Sequence, residues 1–249
     1  MHHRPVCCAG TTPAITYAKY RLEEQGISTT DIPRWDTGHL LLDVPSFRPG
    51  SSLCKSRNLD TLLSSLPRDV TIWGGNLDHP ALEGFRTVDL LHNEIYLAEN
   101  AAITAHCTVK LVSPLLTATW AETSTLIIGW GRIGKCLARL LRDMGCPVTV
   151  AVRSTKDLAT LRSLDYRAIP MGELHAHVHK FRLIINTAPV PVLEESCCPD
   201  ALKIDLASNR GIAGENVVWA RGLPGIHAPE SSGKLIADTF LQFVKEVTP

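Results

Sequence analysis

Charge of one sign is what this chain most plainly lacks: 25 Lys and Arg balance 25 Asp and Glu over 249 residues. No global field therefore draws it to nucleic acid or to an acidic membrane, and any anionic ligand has to be held by local cations. Long apolar runs are missing too. None approaches the ~20 residues that a membrane span requires, so no membrane association is expected. There is no internal repeat and no low-complexity tract, which sets aside solenoids and disordered linkers. Met1-His2-His3-Arg4-Pro5 leads straight into Val6-Cys7-Cys8-Ala9, a run too short for the apolar core of a secretory leader. On these grounds a cytoplasmic location is expected.

The 8 cysteines, at 7, 8, 54, 107, 136, 146, 197 and 198, include no C-x-x-C pair. They are scattered, two pairs are vicinal, and several fall in expected strands or helices. That pattern reads as buried free thiols in a reducing compartment rather than a disulfide framework. No H-E-x-x-H is present. His175, His177 and His179 invite a metal reading, but in a helix His175 and His179 share a face while His177 points away, and no catalytic acid accompanies them. A solvated helix without metal is expected.

What is present is organised around Thr125-Leu126-Ile127-Ile128-Gly129-Trp130-Gly131-Arg132-Ile133-Gly134. Apolar, partly β-branched residues predict a buried parallel strand. Gly129, Gly131 and Gly134 then stand at the G-x-G-x-x-G spacing, which allows a tight turn, a pyrophosphate close to the backbone, and close packing of helix on strand. The helix after the turn offers N–H groups and a positive dipole end to phosphates. Ile133, Cys136, Leu137, Leu140, Leu141 and Met144 form its apolar stripe, with Arg132, Lys135, Arg139 and Arg142 off it and Gly145 as the stop. Val148-Thr149-Val150-Ala151-Val152 follows as a second strand, completing a βαβ unit.

The end of that second strand selects the cofactor. NAD sites place Asp or Glu there to accept from the ribose 2′-hydroxyl, whereas NADP sites place an Arg nearby. Here stand Arg153, Ser154, Thr155 and Lys156. A carboxylate is missing where NAD would want one, so NADP is expected, with Arg153, Ser154 and Thr155 at the 2′-phosphate.

A chain this long can bury a real core and suits one large or two modest domains. Strands expected at Val6–Gly10, Leu40–Val44, Val70–Gly75 and Thr87–Leu91 alternate with helices at Pro13–Gln25 and Leu59–Leu66, which implies a parallel sheet covered on both faces. A long Ala-rich helix from Asn93 to about Leu111 and a Thr-rich connection follow. Beyond Lys156 come helices at Leu158–Leu164 and Met171–Lys180. Strands follow at Leu183–Asn186, Leu202–Leu206 and Val217–Ala220, and then an amphipathic helix from about Ser232 to Val247. The fold expected is α/β: a Rossmann doubly wound parallel sheet preceded by a smaller flavodoxin-like α/β domain. The divisions are 1–92 for a substrate or interaction domain, 93–118 for a connecting helix and linker, and 119–249 for the NADP-binding domain, with the reacting ring facing the gap between domains.

Chemistry is expected just past strand ends. In Asn186-Thr187-Ala188-Pro189 an amide and a hydroxyl can bond the nicotinamide carboxamide or ribose, and Leu206, Ala207 and Ser208 follow the next strand. Arg210 can clamp a carboxylate in bidentate fashion, or equally be a surface turn charge. His227, in a stiff loop with Pro224, Gly225 and Pro229, is placed for proton transfer near neutral pH, or for packing. Ser231 and Ser232 at the last helix's start can take a carboxylate on backbone N–H groups, or simply cap it.

The set Asn100-Ala101-Ala102-Ile103-Thr104-Ala105, Gly129–Gly134, Asn186-Thr187-Ala188-Pro189, Asp205-Leu206-Ala207-Ser208 and Leu223-Pro224-Gly225, with Ala228-Pro229 and Gly233, occurs in this order. In it the chain resembles the A subunit of dipicolinate synthase from about Asp89 onward, and only loosely before. The resemblance implies an NADP-linked dehydrogenase of bacterial spore formation. A cyclic dihydro- or tetrahydropyridine dicarboxylate would lose hydride to NADP and become pyridine-2,6-dicarboxylate, made together with a flavoprotein-like B subunit. It places Thr104, His106, Pro224 and Gly225 at the substrate. The chain departs from the family at His106-Cys107, where Glu-Gly is usual, and at Arg210-Gly211-Ile212, where Pro-Gly-Gly is. A homo-oligomer is expected. The arginine and histidine loops also resemble those of D-2-hydroxyacid dehydrogenases, which makes a 2-hydroxy or 2-oxo acid enzyme the alternative. A non-catalytic NADP-binding protein that needs a partner chain is a third.

Overall fold

The computed structural model describes residues 4–47 and 59–247; Cys54 and the first three residues lie outside them. The chain divides into two compact units, one formed by 1–103 with 224–249 and the other by 104–223. This division differs from the one expected, because the last helix belongs with the beginning of the chain.

In the first unit β1 (Val6–Cys8), α1 (Pro13–Glu24), β2 (Thr29–Thr30), β3 (His39–Leu41), α2 (Leu59–Ser64), β4 (Thr71–Gly74) and β5 (Arg86–Asp89) follow in turn. The strands are all parallel, in the order β2-β1-β3-β4-β5, which is the flavodoxin-like order. Alternate residues of a strand face opposite sides, and the two cores sort accordingly. Val6, Cys8, Leu41 and Trp73 join one cluster with α1. Cys7, Leu40, Leu42 and Ile72 join the other with Leu59, Leu62 and Leu66. Burial inside the first cluster pushes the Cys8 thiol up to about 12, so it stays protonated and behaves as a small apolar group. Asp43 ties the sheet's carboxyl end together by accepting from Thr11 N at 3.0 Å, Thr12 N at 3.1 Å and the Thr12 hydroxyl. Thr12 therefore starts α1 by position, with its hydroxyl given to Asp43 rather than to the helix.

The helix α3 (Glu94–Val112) crosses from one unit to the other. The second unit continues with β6 (Thr125–Ile128), α4 (Arg132–Asp143), β7 (Val148–Val152), α5 (Thr155–Ser163), β8 (Arg167–Pro170) and α6 (Leu174–His177). It is completed by β9 (Leu183–Asn186), the short β10 (Leu193–Glu194), β11 (Leu202–Asp205), the short β12 (Ile212–Ala213) and β13 (Val217–Trp219). Six strands run parallel in the order β13-β11-β9-β6-β7-β8. Counted within the unit this is 3-2-1-4-5-6 read from the β8 edge, the order of a dinucleotide-binding Rossmann sheet. Every residue of β6, β7 and β9 is buried, the mark of a sheet covered on both faces. The helix expected over Met171–Lys180 is broken into a four-residue α6 flanked by 3-10 turns. On it His177 faces Glu173 at 3.6 Å and Lys180 at 2.9 Å, while His175 lies 3.7 Å from the Cys197 sulfur. The seven cysteines among the described residues are all free thiols.

The chain then turns through α7 (Leu223–His227) into α8 (Pro229–Val247). Leu235, Ile236, Ala237 and Phe240 of α8 fill the α1 side of the first unit's core, with Phe240 edge-on to Trp73 at 4.8 Å. Gly233 makes this approach possible, since a Cβ there would fall on the Ala14 carbonyl and the Tyr17 side chain. Arg21 closes the contact through Asp238 at 2.8 Å.

Candidate functional site

At the carboxyl end of the second unit's sheet, the loops that follow β6 and β9 diverge, and the sequence puts the glycine turn there. Open α/β sheets bind ligands at such a point because neighbouring loops leave in opposite directions. Gly129 has a φ of 105°, which an L side chain rarely adopts. Gly134 lies so close under it that a Cβ would strike Gly129 O and come 3.2 Å from Gly129 C. Gly131 is different: a Cβ there would meet nothing within 4 Å. The turn is thus closed beneath Gly129 and Gly134 and open above Gly131, which is the shape a pyrophosphate needs. Helix α4 begins with Gly131 at its N-cap and no side chain taking the cap bond, so none competes with an anion for that end. Trp130 packs edge-on against Tyr166 at 5.5 Å, Arg132 is exposed and Ile133 half-buried. These three offer a ligand their backbone.

The loops after β9 and β11 are held by a buried polar clamp. Asp205 and Asn186 are both 0% exposed. One Asp205 oxygen accepts from the Asn186 amide at 2.9 Å and from Ala207 N at 3.0 Å. The other accepts from Gly211 N at 2.7 Å and Ile212 N at 2.9 Å. Asn186 also donates to Ala188 O at 2.9 Å and accepts from Ala188 N at 3.0 Å. The expectation that the Asn186 amide reaches the cofactor is therefore corrected: its hydrogen-bonding capacity is used inside the loop. Thr187 donates its hydroxyl and its N–H to Ile128 O, both at 2.9 Å, binding the two strand ends to each other. What Thr187, Ala188, Pro189, Leu206, Ala207 and Ser208 present is a rigid backbone rim. In the sequence Asp205 marks only a strand end. Its one signal there is an acid closing an apolar strand, with a glycine six residues on.

At the end of β7, Arg153 and Lys156 are exposed, and neither side chain has a hydrogen-bond or ion-pair partner among the described residues. Ser154 caps α5 by accepting from Asp157 N at 3.3 Å, so its oxygen already has a structural duty, and exposed Thr155 is the first residue of α5. These two exposed cations, at the carboxyl end of the strand that pairs with β6, can hold an anionic group beside the glycine turn.

The remaining expected site residues belong to both units. Arg210 stands in the loop after β11, in the second unit, while Pro224, Gly225 and half-buried His227 belong to the first. Thr104 is buried and His106 exposed; two positions apart on a helix, they point about 200° apart and do not line one surface. The last helix opens two residues before Ser231, which lies in its first turn. It starts at Pro229, and Ser232 N already donates to Ala228 O at 3.0 Å, so that N–H is not free to seat a carboxylate. Trp219 and Arg221, which no motif singles out, lie beside Arg210: both guanidinium groups stand over the Trp219 ring. Among the described residues no cluster of three or more metal-ligating side chains occurs, and no helix is long and apolar enough to cross a membrane.

No family model matches the chain. In sequence it is 28% identical over 174 residues to the A subunit of dipicolinate synthase of Bacillus subtilis (strain 168), a match covering 65% of this chain. The chain spans 59% of the length of that curated relative. The crystal structure of the same protein from Bacillus halodurans is 18% identical, with a TM-score of 0.83 over 98% of both chains. That from Bacillus subtilis is 22% identical, with a TM-score of 0.80 over 99% of this chain and 97% of the other. A more distant likeness is an NADPH-dependent glyoxylate/hydroxypyruvate reductase of Sinorhizobium meliloti in complex with NADP and sulfate, 12% identical with a TM-score of 0.51 over 98% and 95%. The resemblance to the A subunit of dipicolinate synthase thus stands in sequence and in fold, and the fold is the two-domain Rossmann type that dehydrogenases share.

Proposed function

We propose that the chain is an NADP-dependent oxidoreductase that converts a dihydro- or tetrahydropyridine dicarboxylate to dipicolinate in the cytoplasm of a spore-forming cell. The observation that carries the reading is the glycine turn, open above Gly131, on the same sheet edge as the unpaired Arg153 and Lys156. Its substrate rests on the likeness to the A subunit of dipicolinate synthase. Bound on this edge, NADP supplies a hydride acceptor beside the loops that follow β9 and β11. The chain's own residues do the rest. The turn holds the pyrophosphate, Arg153 and Lys156 neutralise the 2′-phosphate, and the Asp205 clamp keeps the rim of Thr187–Pro189 and Leu206–Ser208 fixed. Arg210 holds a substrate carboxylate and His227 takes the proton. A dihydropyridine that gives up one hydride and one proton becomes aromatic; a tetrahydropyridine does so after a second such pair, or after losing water where its ring carries a hydroxyl, so the driving force lies in the substrate and the protein mainly orients it. The partners proposed are a second copy of this chain and a flavoprotein-like B subunit.

The test supplies the condensation product of pyruvate and aspartate semialdehyde together with NADP and follows NADPH and pyridine dicarboxylate absorbance. Both should rise together. Reduction of 2-oxo acids with NADPH instead would move the assignment to a hydroxyacid dehydrogenase. Turnover only after a second protein is added would make this chain the nucleotide-binding partner. The cofactor choice has its own check. Arg153→Asp should weaken NADP about 10- to 100-fold, since it removes a charge-assisted contact, and shift NAD far less. Equal loss of both in a titration would remove Arg153 from the 2′-phosphate.

A further inference from the structure

Trp219 ends β13 directly opposite Asp205 of β11. The residue is 41% exposed, yet its ring is tethered, because the indole N–H donates to Ala207 O at 3.0 Å. Over this ring stand two guanidinium groups, Arg210 at 5.7 Å and Arg221 at 5.2 Å from its centroid. The two charges therefore lie no farther apart than those distances together. Neither has an ion-pair or hydrogen-bond partner among the described residues. Arg210 is further restrained through its neighbour: Gly211 donates to Asp205, and a Cβ on Gly211 would fall against the Asn186 amide and the Ala188 and Val190 carbonyls.

Two like charges gathered on one aromatic ring repel each other, and the ring's negative face offsets only part of that. In a chain with zero net charge, such a concentration calls for an anion with two negative groups. Its place on the sheet says which end of the reaction it serves. β13 and β7 are separated by β11, β9 and β6, four strand spacings or about 19 Å. Arg153 at the end of β7 is thus out of reach, and the arginines sit on the half of the sheet where a dinucleotide bound in the Rossmann manner would place its nicotinamide.

We propose that Arg210, Trp219 and Arg221 form a dicarboxylate site, each guanidinium taking one carboxylate and the exposed indole holding the flat body between them. This rests on the dipicolinate reading for the identity of the substrate, but not for the existence of the site. It makes Arg221 the residue that separates dicarboxylates from monocarboxylates.

The experiment titrates the full-length protein, saturated with NADP, with pyridine-2,6-dicarboxylate, pyridine-2-carboxylate and the open-chain dicarboxylate malate, by calorimetry. The pyridine dicarboxylate should bind at least about tenfold more tightly than the monocarboxylate, and Arg221→Gln should erase that preference while leaving monocarboxylate and NADP affinities within about twofold. An Arg221→Gln protein that binds the dicarboxylate as well as the parent overturns the site and leaves the dipicolinate reading intact. Binding of malate but not of the pyridine acid, lost in Arg221→Gln, keeps the site and overturns that reading. A parent protein that binds none of the three overturns the site.

Discussion

Gly131→Val should lose NADP binding by at least about 100-fold while the protein remains folded. The reason lies in which glycines the fold needs and which the ligand needs. At Gly131 the backbone is at φ −77° and ψ −170°, ordinary extended geometry, and a Cβ would meet nothing within 4 Å. The penalty to folding is confined to the poorer N-cap, about 1 kcal/mol, which for a chain of this size lowers the thermal midpoint by roughly 2–4 °C. The isopropyl group would, however, fill the opening a pyrophosphate must enter. Gly134→Val is the counterpart, expected to fail as a stable protein because its Cβ strikes Gly129 O. Thermal melts and NADP titrations on the two variants separate the roles. A Gly131→Val protein that binds NADP normally would remove the glycine turn from the cofactor site.

The second large effect is expected at Asp205. Four donors converge on its carboxylate: the Asn186 amide and the backbone N–H groups of Ala207, Gly211 and Ile212. Asp205→Ala strands all four in a region closed to water, and each buried donor without a partner costs about 1–3 kcal/mol. Allowing for relaxation, a loss of about 3–5 kcal/mol is expected, a large share of the ~5–15 kcal/mol that holds a domain folded. Asp205→Asn should fall between, because it keeps the shape but can accept through one oxygen only. Denaturant unfolding reads both directly. A change below about 1 kcal/mol in Asp205→Ala would mean that the β9 and β11 loops do not depend on the clamp.

The βαβ centre of the second unit is legible in the sequence because its physics is local. Strands buried on both faces are nearly all apolar, as Leu126–Ile128 is and as Val148–Val152 is apart from Thr149, and the glycine spacing marks the turn that leaves the first of them. The destination of α8 is not legible. Its periodicity announces an apolar face but does not say which sheet that face covers; Gly233, opposite Ala14 and Ala18, is the one local sign of a close helix neighbour. Asn186 reads as reaching outward because polar groups at strand ends usually do. Only the fold shows Asp205 waiting beside it. The pairing of Arg210 with Arg221 through Trp219 depends on two loops that are adjacent in space and not in order, and no spacing rule reveals it. The broken helix at 171–180 follows from the same limit: Gly172 and the packing of Leu174 and Val178 override a pattern that alone suggests one continuous turn series.

The return of α8 onto α1 has a consequence for the order of events during synthesis. The second unit is an insertion between two parts of the first, so its segment, 104–223, has left the ribosome and can close as a unit while the earlier domain still lacks a wall. Until Phe240 arrives, Trp73 and His39, which it covers edge-on at 4.8 and 5.1 Å, have no lid. The part of the chain made first is thus completed last.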